Sequence, residues 1–314
     1  MKNDFLRLFL KVLLLLFPLF FILFYWESQL GRIPNSYNFK RWNLEKNLDN
    51  LEILVTGSSH ALHGINPDYF SCKSFNLANM SQSMYYDAEL ALKYIDRLPK
   101  LKAVLITISY FSFGYKLEIC QEAWRSYYYN YFWDIKSGNL KWDDPKMYSL
   151  ISLYSLRLTQ SYALKNFKVN LAQDYQTNGW MRSERIGTVS VINESTGKER
   201  ADLHTKNMKL DVFDENRDNL ERLLRKVSEK GIASFFVIMP VYNTYAKFTD
   251  PAINKRNHEL IEYFVKKYEI RCFDYSNDTR FVMKDFANND HLNYIGAEKL
   301  SKIINQEILS NYCR

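Results

Sequence analysis

The chain predicts an α/β protein in which a parallel sheet is covered by helices. One N-terminal membrane-spanning helix precedes it, and a mostly helical insertion interrupts it. Three observations carry this. Apolar runs of strand length alternate with amphipathic helical stretches over residues 51–111 and 213–314. Those runs are almost continuously apolar, as strands covered on both faces are. The chain also opens on a predominantly apolar segment far longer than any other.

That segment, "FLRLFLKVLLLLFPLFFILFYW", runs from Phe5 to Trp26, and its 22 residues suffice to cross a bilayer core. Lys2, Arg7 and Lys11 place positive charge at its start, and Tyr25 and Trp26 form an aromatic belt at its end. The pattern predicts a single-pass protein held in the lipid bilayer, with a cytoplasmic N-terminus and an extracytoplasmic body, periplasmic or at the cell surface. The residues that follow, Glu27-Ser28-Gln29-Leu30, offer no small-x-small cleavage site, which favours an anchor over a cleaved signal peptide. Residues 1–26 are thus the anchor, 27–50 a polar linker and 51–314 the α/β body.

Within the body, Ile53–Val55 is a short strand ending at Gly57, and Ser74–Ala78 a second. Tyr86–Leu98 follows as a helix, with Ala88, Leu90, Ala91, Tyr94 and Ile95 at helical spacing. Ala103–Phe111 and Ala233–Val241 are buried strands, and Ile270–Ser276 is a fifth. Phe213–Lys230 is an amphipathic helix closed by Gly231. Asn254–Tyr268 and Gly296 to about Asn311 are further helices. The insertion, about 112–212, contains the aromatic cluster Ser126–Trp133, an apolar helical stretch from Met147 to about Leu164, and a polar irregular segment, Val189–Asn207. Its aromatic residues are expected as core or lid, or as a wall for a sugar or a partner.

Composition narrows the function classes. A chain of 314 residues that is 47% hydrophobic and 25% charged, with 10 Gly and 7 Pro, packs a globular body. The net charge of +7 is spread along the chain, with no basic tract interleaved with aromatics, so no nucleic-acid partner is expected. A basic protein beside an anionic membrane accounts for it. Cys72, Cys120, Cys272 and Cys313 lack metal-ligand spacing, and both disulfides and buried thiols stay open. Asn79, Asn193 and Asn277 begin glycosylation-type triplets, relevant only in a eukaryotic secretory setting. No metal or cofactor is expected.

The stretch "VTGSSHALHGINP", Val55–Pro67, takes the first strand straight into two serines and a histidine. In a parallel sheet the functional crevice lies beyond the carboxyl ends of the strands, where this stretch begins. A serine acts as a nucleophile when a base takes its proton and donors hold the developing oxyanion. Of the five histidines, His60 and His63 lie too close in sequence to Ser59 to be obvious bases, although His60 can line the pocket. His204 falls in the insertion and His258 on a helix face. His291, in the polar loop "FANNDHLNYIGAEKL", emerges at the same sheet edge as Ser59 and is the candidate base.

With these blocks in view, the sequence resembles the SGNH (GDSL-type) hydrolase superfamily, in particular its membrane-anchored branch acting beside O-acyltransferases of cell-surface polymers. The resemblance covers roughly residues 50–111 and 213–314. It implies a flavodoxin-like three-layer sandwich and places the nucleophile at Ser59, beside Ser58, and the base at His291. "NLANMSQS", Asn76–Ser83, is similar to the second block, whose glycine amide lines the oxyanion hole; Ser81 stands in that place, with Asn79 nearby. After the third strand the family carries an Asn side chain, where this chain offers Ser109 or Ser112. The family's acid lies three residues before the histidine, where this chain has Asn288; Asp290 and Asp285 are the alternative acids. The resemblance implies transfer of an acyl group, acetyl in the first instance, to or from a cell-surface or secreted polysaccharide through acyl-Ser59, with a membrane-bound O-acyltransferase as partner. A second reading is a catalytically impaired partner subunit of an acyltransferase or polymer-export complex. A plain secreted esterase fits the uncleaved anchor less well.

Overall fold

The structure, a computed structural model, describes residues 2–183 and 191–313, with only the backbone described at residues 2–4 and 13. The first two residues of the polar segment expected over Val189–Asn207 lie outside the described residues. The chain forms two compact units, Met1–Phe39 with Ser126–Gln173, and Lys40–Arg125 with Asp174–Arg314.

The first unit contains helix α1, Lys2–Arg32. It is the one helix among the described residues long and apolar enough to cross a membrane, and the leucines and phenylalanines described over residues 5–24 are exposed while Leu30 is buried, consistent with a single-pass anchor. The helix runs past the apolar stretch because Glu27 finds partners. Its carboxylate accepts from the Leu150 and Ile151 amides at 2.6 and 3.2 Å and from Ser149 Oγ at 2.9 Å. An acid is favourable there, at the start of a short helix. The span 27–50, expected as a linker, is largely helical: it holds the end of α1 and helix α2, Ser36–Glu45.

Helix α3, Ser59–Gly64, and helix α4, Met84–Ile95, come next in the chain, in the second unit. Helix α5, Arg125–Trp133, carries the aromatic cluster as core: Tyr129 and Trp133 are fully buried, and Tyr37 packs 5.1 Å from both Tyr128 and Tyr129. The stretch Met147–Leu164, expected as one helix, is two, α6 (Leu150–Tyr154) and α7 (Leu156–Leu164). Ser155 parts them at φ +70°, its hydroxyl accepting from the Leu158 amide.

The second unit is built on five parallel strands in the order β2-β1-β3-β4-β5: β1 Ile53–Thr56, β2 Ser74–Asn76, β3 Ala103–Ile108, β4 Ala233–Ile238 and β5 Arg271–Asp274. This is the flavodoxin-like order, which reverses between β1 and β3 and opens a crevice beyond their carboxyl ends. β3 stops short of the expected Phe111 because the Ser109 amide turns to Ser112 Oγ at 2.9 Å instead of a neighbouring strand.

Helix α8, Glu194–Asn207, occupies most of the segment read from sequence as irregular. It is polar on nearly every side, so periodicity hides it. Its start is nonetheless marked by a capping box in which Asn193 and Thr196 satisfy each other's backbone amides. Helices α9 (Val212–Glu229), α10 (Asn243–Ala246), α11 (Pro251–Tyr268) and α12 (Tyr294–Ile304) complete the unit. Helix α9 packs between α4 and α11, while α3 packs on α12. Gly197 lets α8 close on α10, since a Cβ there would stand 2.1 Å from the Thr244 carbonyl oxygen. A disulfide joins Cys72 to Cys313, and Cys120 and Cys272 are free thiols.

Candidate active site

Ser59 is placed by a turn that only glycine makes cheaply. Gly57 leaves β1 at φ +144°, and a Cβ there would stand 1.8 Å from Thr107 Oγ1. Its amide donates to Asp87 Oδ1 at 2.7 Å. Ser58 is the N-cap residue of α3, and the first helical bond runs from the Leu62 amide to the Ser58 carbonyl. The amides of Ser59 to Ala61 therefore precede the helical ladder.

Ser59 Oγ lies 2.8 Å from His291 Nε2, although the two residues are 232 positions apart. His291 Nδ1 is 3.1 Å from Asn288 Oδ1, which also accepts from the His291 amide at 2.8 Å. The same nitrogen stands 3.2 Å from Asp290 Oδ1. Asn288 and Asp290 thus divide what one acid usually does: the amide oxygen orients the ring and the carboxylate supplies charge. Both are acceptors, so the Nδ1 proton faces them and Nε2 faces the Ser59 hydroxyl. Asp285, the other candidate acid, is engaged elsewhere, pairing with Lys299 and accepting from the Val282 amide.

Asp290 is completely buried, and besides His291 three cationic or potentially cationic groups surround it. Arg200 Nε lies 3.0 and 2.9 Å from its two oxygens, His60 Nε2 is 3.1 Å from Oδ2 and His204 Nε2 is 3.8 Å from Oδ2. Burial alone would raise its pKa. The charge and hydrogen bond of His291, the hydrogen bond of His60 and the charge of Arg200 outweigh that and hold it well below the usual carboxylate range. His60 is lowered to about 4 by its own burial, with Asp290 opposing. It is therefore neutral, donating from Nε2 to Asp290 and accepting at Nδ1 from Ser109 Oγ at 2.9 Å. Burial likewise lowers His204 and His63 to about 3.

Arg200 and His204 both come from α8; sequence reasoning missed Arg200 and set His204 aside as part of the insertion. The only available signal was the Asn193–Thr196 cap. Lys40 was missed too: it is buried on α2, its Nζ donating to the carbonyls of Asn76 and Ala78 at the end of β2. Burial holds its pKa well below the ordinary lysine value.

The loop after β2 carries the expected oxyanion residues. Ser81 adopts φ +52°, the left-handed region that glycine occupies without strain, and its hydroxyl is tied to Glu122 Oε2 at 2.6 Å. Asn79 is buried with its carboxamide oxygen taken by the Met80 amide and the Tyr175 hydroxyl, which leaves its NH2 as the donor. Ser59 and Ser81 line one pocket of about 230 Å3 with Phe111, Leu203, Arg200 and His204. Of the residues expected in that pocket, Ser58, His60, Asn79 and Asn288 do not line it. The Ser58 hydroxyl is buried with no partner among the described residues, and His60 stands behind the pocket against Asp290. Ser112 caps the end of β3, and His258 is exposed on α11 beside Glu262.

The donor atoms of His60, Asp290 and His291 all lie within 4.8 Å of one another, a spacing that suits a metal ion. The arrangement does not fit one. Arg200 already presents its charge to both Asp290 oxygens, and a cation added there would be repelled by it.

No family model matches the chain, and no curated protein matches it. Among solved structures, the chain is similar to a GDSL-like lipase from Bacteroides thetaiotaomicron, with 11% identity, a TM-score of 0.41, and coverage of 88% of this chain and 100% of the other. It is similar to the same degree, over 88% of this chain and 96% of the other, to a Bacteroides fragilis protein described as an acylhydrolase. The overlap is loose, and the chemistry of the site rests on its own geometry.

Proposed function

We propose that this protein is a membrane-anchored serine esterase or acyltransferase that works through an acyl-Ser59 intermediate. The observation that carries the reading is the array Ser59 Oγ to His291 Nε2 at 2.8 Å, with His291 Nδ1 backed by Asn288 and by a buried, ionised Asp290. It stands at the reversal point of a parallel sheet.

In the proposed cycle, Ser59 Oγ attacks the acyl carbonyl carbon while His291 Nε2 takes the hydroxyl proton. In this reading the negative charge passes to the carbonyl oxygen, and the amides of Ser59 and Ser81, with the Asn79 NH2, serve as its donors. The tetrahedral adduct expels the alcohol, which leaves with the proton from His291, and the acyl group stays on Ser59. Water or a sugar hydroxyl then attacks, His291 accepts its proton, and that proton returns to Ser59 as the acyl group departs. Imidazolium forms twice, and Asp290 is the charge that steadies it.

The apolar side chains Phe111 and Leu203 in a pocket of about 230 Å3 favour a small acyl group such as acetyl. The apolar N-terminal helix favours a substrate met at a membrane surface, a cell-surface polysaccharide in this reading, with a membrane-bound acyltransferase as the acyl source. A fluorophosphonate probe tests the nucleophile: wild type is labelled and Ser59→Ala is not. Equal labelling of both would remove Ser59 from the mechanism.

A further inference from the structure

Helix α7 is turned the wrong way round for a helix in water. Its buried side holds Thr159, completely covered, and Tyr162, while Leu156 and Leu164 are 53% and 87% exposed. Leu156, Gln160 and Leu164 follow one another at four-residue steps and so share one face. A helix packed on a protein core in water buries its leucines and shows its polar residues to solvent. Here a hydroxyl and a phenol face inward and the two leucines face out.

The same compact unit shows what lies against that face. After α7 the chain makes a tight turn in which Asn166 and Phe167 both take left-handed backbone, at φ +49° and +55°. The Phe167 ring stands edge-on to Tyr25 of α1, with centroids 6.1 Å apart. Tyr25 belongs to the aromatic pair at the end of the apolar stretch of α1, the level at which a spanning helix leaves the hydrocarbon. From there the segment follows α1 outward, and the Leu171 amide reaches the Pro34 carbonyl at 2.7 Å. Leu164 therefore sits one turn before a ring held at the bilayer boundary. Charge agrees with this. Residues 155–173 include Arg157, Lys165 and Lys168 and no acid. All three cations are exposed, which suits the phosphates of an anionic lipid surface.

We propose that α7 and the turn after it, residues 156–168, lie on the surface of the bilayer that α1 enters. Leu156 and Leu164 sink into the headgroup boundary, and Arg157, Lys165 and Lys168 meet lipid phosphates. An interfacial helix buries its apolar face about 5–10 Å into that boundary. A lone spanning helix can roll and tilt, whereas a second contact to one side of it restrains both. The inference rests on α1 spanning a membrane and needs no chemistry at Ser59.

The test uses the full chain in lipid nanodiscs of equal parts phosphatidylcholine and phosphatidylglycerol. In a Cys120→Ala/Cys272→Ala background, an NBD fluorophore is attached at Gln160→Cys, between the two leucines, or at Leu15→Cys, midway along α1. The label at 160 is expected to be quenched by nitroxides on the acyl chains near the headgroups and protected from aqueous iodide. Leu164→Asp should lower its docked-to-free ratio at least about tenfold, the effect of one leucine's burial. Lys165→Glu/Lys168→Glu should lower it in the same direction. Both variants change exposed side chains, so the thermal midpoint should hold. If the label at 15 escapes deep nitroxides, the anchor reading falls and this inference with it. If the label at 15 is quenched, this inference alone is overturned in any of three cases. These are quenching of the label at 160 by iodide, protection of that label from both quenchers, as when a second copy covers the face, and lipid quenching left unchanged by either variant.

Discussion

Asp290 immediately precedes His291 in the chain, yet its Oδ1 lies 3.2 Å from Nδ1 of that same imidazole while Oδ2 reaches His60. The loop allows this because Asn288 Oδ1 gathers the Asp290 and His291 amides, at 3.1 and 2.8 Å, and turns the backbone over them.

The division of labour between Asn288 and Asp290 is measurable. Asp290→Asn removes the charge that steadies imidazolium and should lower turnover by up to roughly 10⁴-fold, as the equivalent change does in a serine-protease triad. Asn288→Ala keeps that charge and loses orientation, so the loss should be nearer tenfold, about one hydrogen bond. Hydrolysis of p-nitrophenyl acetate by the two variants, each checked for a cooperative melt, gives both numbers. Equal losses would mean that the amide and the carboxylate act as one unit.

Arg200 should act through the carboxylate that backs His291. Its charge is among the groups that hold Asp290 well below the ordinary carboxylate range. In Arg200→Gln the Asp290 carboxylate loses the guanidinium that holds both of its oxygens, so its hold on His291 Nδ1 loosens. Turnover should fall about tenfold with KM little changed, and Arg200→Lys should recover part of the loss. Loss of substrate binding would raise KM instead.

Asp87 offers a stability test with the opposite pH sense. Burial raises it from 3.8 to about 7, against the hydrogen bonds from Gln82 and the Gly57 amide. Between pH 4 and 7 the unfolded chain ionises this group while the folded chain keeps its proton, so folding stability falls as pH rises through that window. The cost at pH 8 is about 4 kcal/mol. Asp87→Asn keeps the acceptor oxygen and removes the titration. The variant should melt higher than wild type at pH 8, with the gap closing towards pH 4.

The bridge between Cys72 and Cys313 spans 241 residues. Closing a loop of that length restricts the unfolded chain by up to about 5 kcal/mol in the chain-entropy account. Reduction should lower the melting temperature of wild type and leave Cys72→Ala/Cys313→Ala unaffected. Alkylation of the unreduced, unfolded protein should find two thiols, Cys120 and Cys272.

The sheet was legible because its strands are apolar throughout and its turns polar, and the Ser59 and His291 stretches stood out as polar loops at strand ends. The support for Asp290 was not. Helix α8 has no apolar face to betray it, and Arg200 sits 90 positions from the carboxylate it meets. Lys40 was hidden for a related reason: a lysine reads as surface, and only the open carbonyls of Asn76 and Ala78 make its burial tolerable. The partition of His291 between an amide and a carboxylate depends on a loop conformation that spacing does not specify.

A descendant that kept every strand of the sheet and lost residues 112–212 would still carry Ser59, His291 and Asp290. It would have shed the guanidinium facing both oxygens of that carboxylate, leaving a buried anion with histidines alone for company. Selection on such a lineage would have to supply a new counter-ion or give up the acid, so the insertion and the His291 loop can change only in step with each other.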